Sequence, residues 1–336
     1  MSYKHKAILL YSGGLDSTLA LHLLVSQNID VIALTFITSF YNYNRESKAF
    51  KNIIDTVNRL GCKLRTIYLQ EEYLPILKSP KYGFGRAANP CIDCRILMMK
   101  HAKKVMEEEG ADFIATGEVL GQRPFSQTIE CLKKIDREAG VEGLVLRPLS
   151  AKLLPETIPE NKGIIKRERL LDIRGRSRRM QLDLAKRFGI KEYPSPAGGC
   201  LLTETAFGRR FEDLKKHLPD FGLKDVILLK FGRHFRLDDS TKVIIGRNKS
   251  ENEEMVKYIS LQDLRFEVLD YKGPLGLYYG NLNDINLQTA ASIIVSYSKA
   301  PKNIPVKVRF YNMVGYERTL ESKSMPLEEV HHFLIR

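Results

Sequence analysis

Six consecutive residues near the start of the chain, Ser12-Gly13-Gly14-Leu15-Asp16-Ser17, have the composition of a phosphate-binding loop. The two glycines allow the backbone to approach an anion without an intervening side chain. N–H groups at the start of a following helix favour negative charge, and the hydroxyls of Ser12 and Ser17 add hydrogen-bond donors. Asp16 would repel phosphate unless a divalent cation lay between them, which indicates Mg²⁺. A plain Gly-Gly turn capped by Ser or Asp is the alternative explanation.

Three of the five cysteines stand where sulfur or metal chemistry is plausible. Cys91 and Cys94 form a C-x-x-C pair, but the sequence lacks the second pair that a zinc site needs. A thioredoxin-like dithiol would follow the first strand of a βαβ unit, which this pair does not. If the fold brings Cys200 to the pair, three thiolates would hold a four-iron cluster with one iron open for a sulfide. The alternative is that Cys91, Cys94 and Cys200 are unrelated buried residues that serve only packing. We expect Cys62 and Cys131 to be structural in this sense.

Strand and helix patterns alternate around these residues. Predicted strands cover residues 7–11, 31–36, 64–69 and 113–116, and predicted helices cover 18–26, 46–60 and 95–109. This alternation indicates an α/β fold with a doubly wound parallel sheet. Residues 12–17, 35–36 and 117–118 fall at or just after strand ends, which is where such sheets bind ligands.

The pattern changes in the last third of the chain, after a predicted helix over residues 205–217. Short β-type runs then dominate, over residues 226–231, 242–246, 265–269 and 306–311, with one helix over 287–298. The sequence therefore predicts a smaller α+β domain after the parallel sheet. We place the two domains at residues 1–205 and 206–336.

The 336 residues carry a net charge of +13, and 43% of them are hydrophobic. The apolar fraction is enough for a buried core, and the charge favours a polyanionic partner. No apolar run approaches the roughly 20 residues that span a bilayer, and the first residues do not resemble a signal peptide. We therefore expect a cytoplasmic protein without a membrane partner. Basic residues that we expect to contact RNA phosphates are Arg174, Arg176, Arg178, Arg179, Arg233 and Arg247.

The string from Ser12 to Ser17 resembles the PP-loop of the ATP pyrophosphatases, whose pattern is SGGxDS. It differs from the Walker A loop, because no Lys follows the glycines at the required position. The resemblance implies cleavage of ATP between its α- and β-phosphates, with an adenylated intermediate and pyrophosphate as products. It further implies that residues 12–17 bind the pyrophosphate with Mg²⁺, that Thr35 and Phe36 border adenine, and that Gly117 lies near the ribose or α-phosphate.

The stretch NPCIDCRILMMKHAKKVMEEEGADFIATG, residues 89–117, is similar to the corresponding part of bacterial tRNA 2-thiouridylases, and AGGCLLT at 197–203 to their later Cys segment. The resemblance implies that Cys94 and Cys200 are catalytic. Two positions depart from the common pattern, since Cys91 replaces an Asp and Glu118 replaces a His. The first change matches the C-x-x-C form and the related iron–sulfur tRNA thiolases. It favours a [4Fe-4S] cluster on Cys91, Cys94 and Cys200 over a persulfide relay.

A second resemblance covers the C-terminal part of the chain. Lys230 to Leu237, Ile245 to Asn252 and Ala290 to Lys299 look like the RNA-binding domain of NFACT proteins. Together the resemblances imply a tRNA sulfurtransferase that adenylates a uridine oxygen through Asp16 and replaces it with sulfur. Its sulfur donor would be inorganic sulfide or a sulfur-carrier protein. The alternatives are an amide-forming PP-loop synthetase and a non-enzymatic RNA-binding factor.

Overall fold

The computed structural model describes residues 4–40, 47–190, 193 and 200–336. Chain contacts divide the protein into an N-terminal unit, residues 1–85 and 89–201, and a C-terminal unit, residues 86–88 and 202–336. The elements of the N-terminal unit are β1 His5–Leu10, α1 Leu15–Val25, β2 Ile29–Thr38, α2 Lys48–Arg59, β3 Lys63–Leu69, α3 Leu74–Lys78, α4 Cys91–Glu108, β4 Phe113–Thr116, α5 Ile129–Glu138, β5 Val145–Leu146, α6 Ile158–Asn161 and α7 Arg179–Arg187. Those of the C-terminal unit are α8 Thr205–His217, α9 Leu223–Leu228, β6 Arg233–Arg236, β7 Lys242–Ile245, α10 Lys249–Val256, β8 Leu264–Val268, β9 Gly276–Tyr279, α11 Asp284–Tyr297, β10 Val306–Tyr311, β11 Glu317–Ser322 and α12 Leu327–Phe333.

The N-terminal unit is built on a five-stranded sheet in the order β3-β2-β1-β4-β5. All four strand pairs are parallel, with Leu10 beside Leu34 of β2 and Thr116 of β4. The carboxyl ends of β1, β2 and β4 therefore meet at one edge of the sheet. This confirms the predicted α/β fold with a parallel sheet and brings residues 12–17 and 117–118 to a common edge.

Side chains of this sheet alternate between two faces, as strand geometry requires. Ala7, Leu9 and Ala33 belong to a buried core that α1 and α2 cover, the latter through Phe50 and Ile53. Helix α4 packs on β1 and β4 outside that core. Helices thus cover both faces of the sheet, and the central strand is buried throughout most of its length, which explains why its sequence reads as a continuous apolar run.

The C-terminal unit contains a six-stranded sheet in the order β11-β10-β8-β9-β7-β6, in which every pair is antiparallel. Helix α11 buries its apolar face in the same core as Phe266 and Phe310, whose rings stack with centroids 5.0 Å apart. The predicted smaller α+β domain is confirmed.

The structure corrects one element and three boundaries that we predicted from periodicity. Helix α1 begins at Leu15 rather than at Thr18, so Asp16 and Ser17 belong to its first turn. Residues 226–231 are not a strand: α9 covers Leu223–Leu228, and the Asp225 carboxylate accepts the N–H of Gly222 at its start (2.8 Å). A short buried apolar run has the same pattern in either element. Strand β2 continues to Thr38, so Thr35 and Phe36 lie inside it. Helix α4 begins at Cys91 rather than at Arg95.

Among the described helices, none combines the length and the apolar character that crossing a membrane requires.

Candidate active site

The loop between β1 and α1 has a backbone that only glycine satisfies at its second position. Gly13 adopts φ +72°, and a Cβ there would lie 2.5 Å from Cγ1 of Ile53. Gly14 is the N-cap of α1 and offers no side chain to cap the helix. The first N–H groups of α1 therefore receive no hydrogen bond from an N-cap side chain. Such N–H groups at the start of a helix bind anions.

Hydrogen bonds from hydroxyl groups stabilise the backbone of the loop. The Ser17 and Thr18 hydroxyls both donate to the Gly14 carbonyl, at 2.9 and 3.0 Å. The hydroxyl oxygens of Ser12 and Ser17 lie 3.3 Å apart. These hydrogen bonds stabilise the turn that presents the first N–H groups of α1.

Gly117, directly after β4, closes one side of the loop. A Cβ on Gly117 would lie 2.5 Å from the backbone nitrogen of Ser17 and 2.6 Å from its Cα. Only a residue without a side chain allows β4 to end this close to the start of α1. The predicted neighbourhood of Gly117 and the Ser12–Ser17 loop is therefore present in the structure, while its contact with a nucleotide remains a prediction.

Asp16 has one carboxylate oxygen occupied and one available. Oδ2 accepts a hydrogen bond from Nε2 of Gln122 at 3.1 Å. Oδ1 is buried and has no hydrogen-bond partner among the described residues. A buried carboxylate oxygen without a partner is energetically costly. A hard cation such as Mg²⁺ takes oxygen ligands of this kind, so the residues present fit the ion.

Thr35 and Phe36 face the interior. The Thr35 hydroxyl donates to the carbonyl of Tyr11 at 2.8 Å, which links β2 to the residue that follows β1. Phe36 is 5% exposed, and its ring makes an edge contact with His101 at 6.2 Å. Both side chains are buried, and their predicted border with adenine stays a prediction.

The two thiols of the C-x-x-C pair lie in the first turn of α4. Cys94 donates its backbone N–H to Pro90, the N-cap, at 2.9 Å. Burial raises the pKa of the Cys94 thiol to about 11, against the opposing influence of a hydrogen bond to Tyr73 and the charge of Arg95. Burial likewise raises the pKa of Cys91, against the charges of Arg123 and Arg95. Both groups are thus thiols at neutral pH in the protein alone, and a thiolate would need a metal or base to form.

The Cys200 segment approaches the same region through its neighbours. Leu201 donates its N–H to the carbonyl of Phe40 at 2.9 Å, and the ring of Phe40 lies 5.4 Å from that of Tyr73, which hydrogen-bonds Cys94. Within the described ranges, no group of three or more His, Cys, Asp or Glu side chains is arranged to hold a metal ion. The donors have the chemistry of a cluster site, but the structure does not assemble them into one. Gly198 and Gly199 lie outside the described residues.

A network of buried charges connects helix α4, which contains Cys91 and Cys94, to Glu118 after the end of β4. The sequence did not predict this network. Glu118 pairs with Arg95 of α4 (3.2 Å) and with Arg147 (3.1 Å), and Arg147 pairs with Asp136 of α5 at 2.7 Å. Burial alone would raise the pKa of Glu118, but the two guanidinium groups outweigh it and hold that pKa below its ordinary value. Burial raises the pKa of Asp136, and Arg147 only partly offsets this. Glu118 therefore stays ionised one residue from Gly117.

The predicted RNA-contacting arginines fall into two groups. Arg174, Arg176 and Arg179 are exposed and Arg178 is half-buried, on the segment that leads into α7. In the C-terminal unit, the guanidinium of Arg233 lies 4.6 Å from the ring centroid of Tyr297.

Arg247 is engaged by Glu251, with Nη2 and Oε1 2.7 Å apart. It is thus partly neutralised, whereas the 174–179 segment combines high exposure with several positive charges. The RNA contacts of both groups remain predictions.

Comparison with known families identifies two parts of the chain. Residues 2–156 match the family described as "Thiamine biosynthesis protein (ThiI)", and residues 232–334 match "NFACT protein RNA binding domain". The resemblances inferred from residues 12–17, 89–117 and 230–299 are confirmed.

The curated relatives align with less than half of the chain. A "Probable tRNA sulfurtransferase" of Lysinibacillus sphaericus (strain C3-41) is 30% identical over 144 residues, 43% of this chain and 34% of the relative. A "tRNA-specific 2-thiouridylase MnmA" of Syntrophotalea carbinolica (strain DSM 2380 / NBRC 103641 / GraBd1) is 34% identical over 125 residues, 35% of this chain and 36% of the relative. The chain spans about a third of the length of these relatives.

Solved structures give weaker likenesses. The U34-tRNA thiolase NcsA from Methanococcus maripaludis with its [4Fe-4S] cluster is 17% identical with a TM-score of 0.33, covering 68% of this chain and 73% of its own. A 4-thiouridine synthetase in a complex with RNA and bound ATP is 22% identical with a TM-score of 0.37, covering 67% and 52%. Likenesses at these TM-scores support no argument about the site of this chain.

Proposed function

Because the chain carries a PP-loop domain of the ThiI type and an RNA-binding domain of the NFACT type, we propose that it is an ATP-dependent tRNA sulfurtransferase. The observation that carries the proposal is the link between loop and thiols. Arg95, next to Cys94, pairs with Glu118, next to Gly117, and Gly117 abuts Ser17. The sulfur-bearing helix is thus one ion pair away from the nucleotide loop.

The proposed reaction has two steps. The carbonyl oxygen of a tRNA uridine attacks the α-phosphate of ATP, and pyrophosphate leaves. A sulfur nucleophile then attacks the uridine carbon that bears the adenylated oxygen. The bond between this carbon and the oxygen breaks, and the oxygen leaves as part of AMP. Adenylation is needed because the uridine oxygen alone is a poor leaving group.

The residues of the loop would bind and orient the nucleotide. The N–H groups of residues 13–17 would donate hydrogen bonds to the pyrophosphate and stabilise its negative charge, as the fixed donors of an oxyanion hole do. Asp16 would present Oδ1 to Mg²⁺, which when bound would neutralise phosphate charge. Gly117 would let the end of β4 approach the start of α1 closely, which would bring its backbone near the ribose or α-phosphate.

Cysteine residues would hold the sulfur for the second step. We propose a [4Fe-4S] cluster on Cys91, Cys94 and Cys200, because thiol sulfur is the donor that such clusters use. Assembly would require the three thiols to converge more closely than the described side chains do. A persulfide relay between Cys94 and Cys200 is the alternative. Inorganic sulfide or a sulfur-carrier protein would supply the sulfur to the cluster, where sulfide binds without a change of oxidation state. The relay would need a sulfur-carrier protein that already bears a persulfide, because sulfide alone forms a persulfide only with an oxidant.

The arginines of residues 174–179 should contribute to the affinity for tRNA through contacts with its phosphates. We expect the logarithm of the tRNA association constant to fall with the logarithm of salt concentration, by roughly 0.7 to 0.9 per phosphate contact. Replacing Arg176, Arg178 and Arg179 together by Ala should make this slope shallower, because fewer counterions are released. The measurement is tRNA binding between about 50 and about 200 mM salt.

A matched control removes the same charge elsewhere. Lys51, Lys63 and Lys152 are exposed residues of the same unit, and replacing them together by Ala should leave the slope unchanged. An unaltered slope in the arginine variant, or affinity that does not depend on salt, would contradict the assignment of residues 174–179 to the RNA surface.

The direct test of the whole proposal is the joint appearance of thiouridine in tRNA and of AMP. An amide-forming synthetase would release AMP without thiouridine, and a non-enzymatic RNA-binding factor would produce neither.

A further inference from the structure

Asp16 and Gln122 are 106 residues apart in sequence and are joined by one hydrogen bond, from Nε2 to Oδ2 at 3.1 Å. Gln122 lies in the loop that follows β4, directly beyond the buried Glu118 and Val119. Its amide is the side-chain donor found for this carboxylate among the described residues, and it leaves Oδ1 buried and unpartnered. The contact therefore determines which oxygen of Asp16 is available.

The backbone around Gln122 is braced on both sides. Gly121, at φ +72°, donates its N–H to the carbonyl of Gln127 at 2.7 Å, and Gln122 donates its own to Val119 at 3.2 Å. Leu120 donates to the Ser150 hydroxyl at 2.9 Å and accepts from the N–H of Gly175 at 2.7 Å. The loop thus has little freedom to withdraw the amide from Asp16.

A carboxylate that is free to rotate pays an entropic cost when it binds a cation. A hydrogen bond to one oxygen reduces that cost, because it fixes the orientation of the carboxylate before the cation binds. We propose that Gln122 is a positioning residue, which holds Asp16 so that Oδ1 faces the cation that accompanies the nucleotide. This inference rests on the proposed function, because it assigns Gln122 a part in the same nucleotide site.

The test compares Gln122→Met with the native protein in binding α,β-methylene-ATP, by titration calorimetry in Mg²⁺ and again in EDTA. Met has a similar length but no donor. We expect the affinity in Mg²⁺ to fall by about 10- to 100-fold, the usual effect of removing a hydrogen bond to a metal ligand. The affinity in EDTA should be unchanged. The control is Gln70→Met, at an exposed glutamine of the same unit, which should match the native protein in both conditions.

Two outcomes would overturn the inference. Equal affinity of Gln122→Met and the native protein in Mg²⁺ would mean that the amide does not position Asp16. An equal loss in Mg²⁺ and in EDTA would mean that Gln122 only supports the loop. The proposed function fails differently: native protein that binds the analogue with Mg²⁺ but never thiolates tRNA would defeat it and leave the role of Gln122 standing.

Discussion

Asp16→Ala is expected to reduce tRNA-dependent AMP formation strongly while leaving tRNA affinity unchanged. The carboxylate is the group of the Ser12–Ser17 loop that suits a divalent cation, and its Oδ1 is buried without a partner. Its removal should lower the rate by about 10²- to 10³-fold, the order of effect seen when one key electrostatic group is lost. RNA binding should persist because it depends on basic residues outside the loop. The measurements are AMP release from labelled ATP and tRNA binding.

The control for this substitution is Asp55→Ala, at an exposed carboxylate of α2, which should have native activity. Thiolation by Asp16→Ala at the native rate would show that the Ser12–Ser17 loop is not the active site. A parallel loss of tRNA binding would indicate a folding defect, which thermal unfolding of the same preparation would reveal.

Replacement of any one of Cys91, Cys94 or Cys200 by Ala is expected to remove most of the iron and all thiolation activity. Three thiolates are the ligand set of the proposed cluster, so each loss leaves it with two. Anaerobically purified native protein should be brown and contain about four irons and four sulfides per chain. The measurements are iron and sulfide content, the visible spectrum and thiouridine formation.

Cys62→Ala and Cys131→Ala are the matched controls. Burial raises the pKa of Cys62 to about 11, and it packs against the sheet core. Cys131 donates its thiol to the carbonyl of Phe125 at 3.4 Å. Neither should affect iron or activity. The persulfide relay predicts a different pattern, with Cys94 and Cys200 essential and Cys91 dispensable. An active Cys91→Ala variant in iron-free protein would contradict the cluster.

The glycine turn between β1 and α1 could be predicted from sequence because its determinants are local. Two glycines, a strand before them and a helix after them are encoded within about thirty residues, and the alternation of strands and helices then fixes a parallel sheet. The same local reasoning failed at residues 226–231, where burial on all sides gives a helix and a strand the same apolar pattern.

The contacts that organise the site could not be predicted in this way, since they join distant residues. The sequence marks Glu118 by its position after a strand and by its departure from the His of similar proteins, and neither feature identifies its partners. Its partners Arg95 and Arg147 lie in α4 and next to β5, and the sequence contains no sign of their pairing. Gln122 was one polar residue in a polar loop. A buried carboxylate needs compensating charge, but which of many arginines supplies it depends on the fold.

The measurement that tests the account most directly is mass spectrometry of tRNA nucleosides after incubation of the purified full chain with unmodified tRNA, Mg²⁺, ATP and sulfide under anaerobic conditions. We predict thiouridine and AMP in equal amounts, with neither formed when ATP or tRNA is omitted and both formed about 10²- to 10³-fold more slowly when Asp16 is replaced by Ala. AMP without thiouridine, or thiouridine without consumption of ATP, would contradict the proposed function.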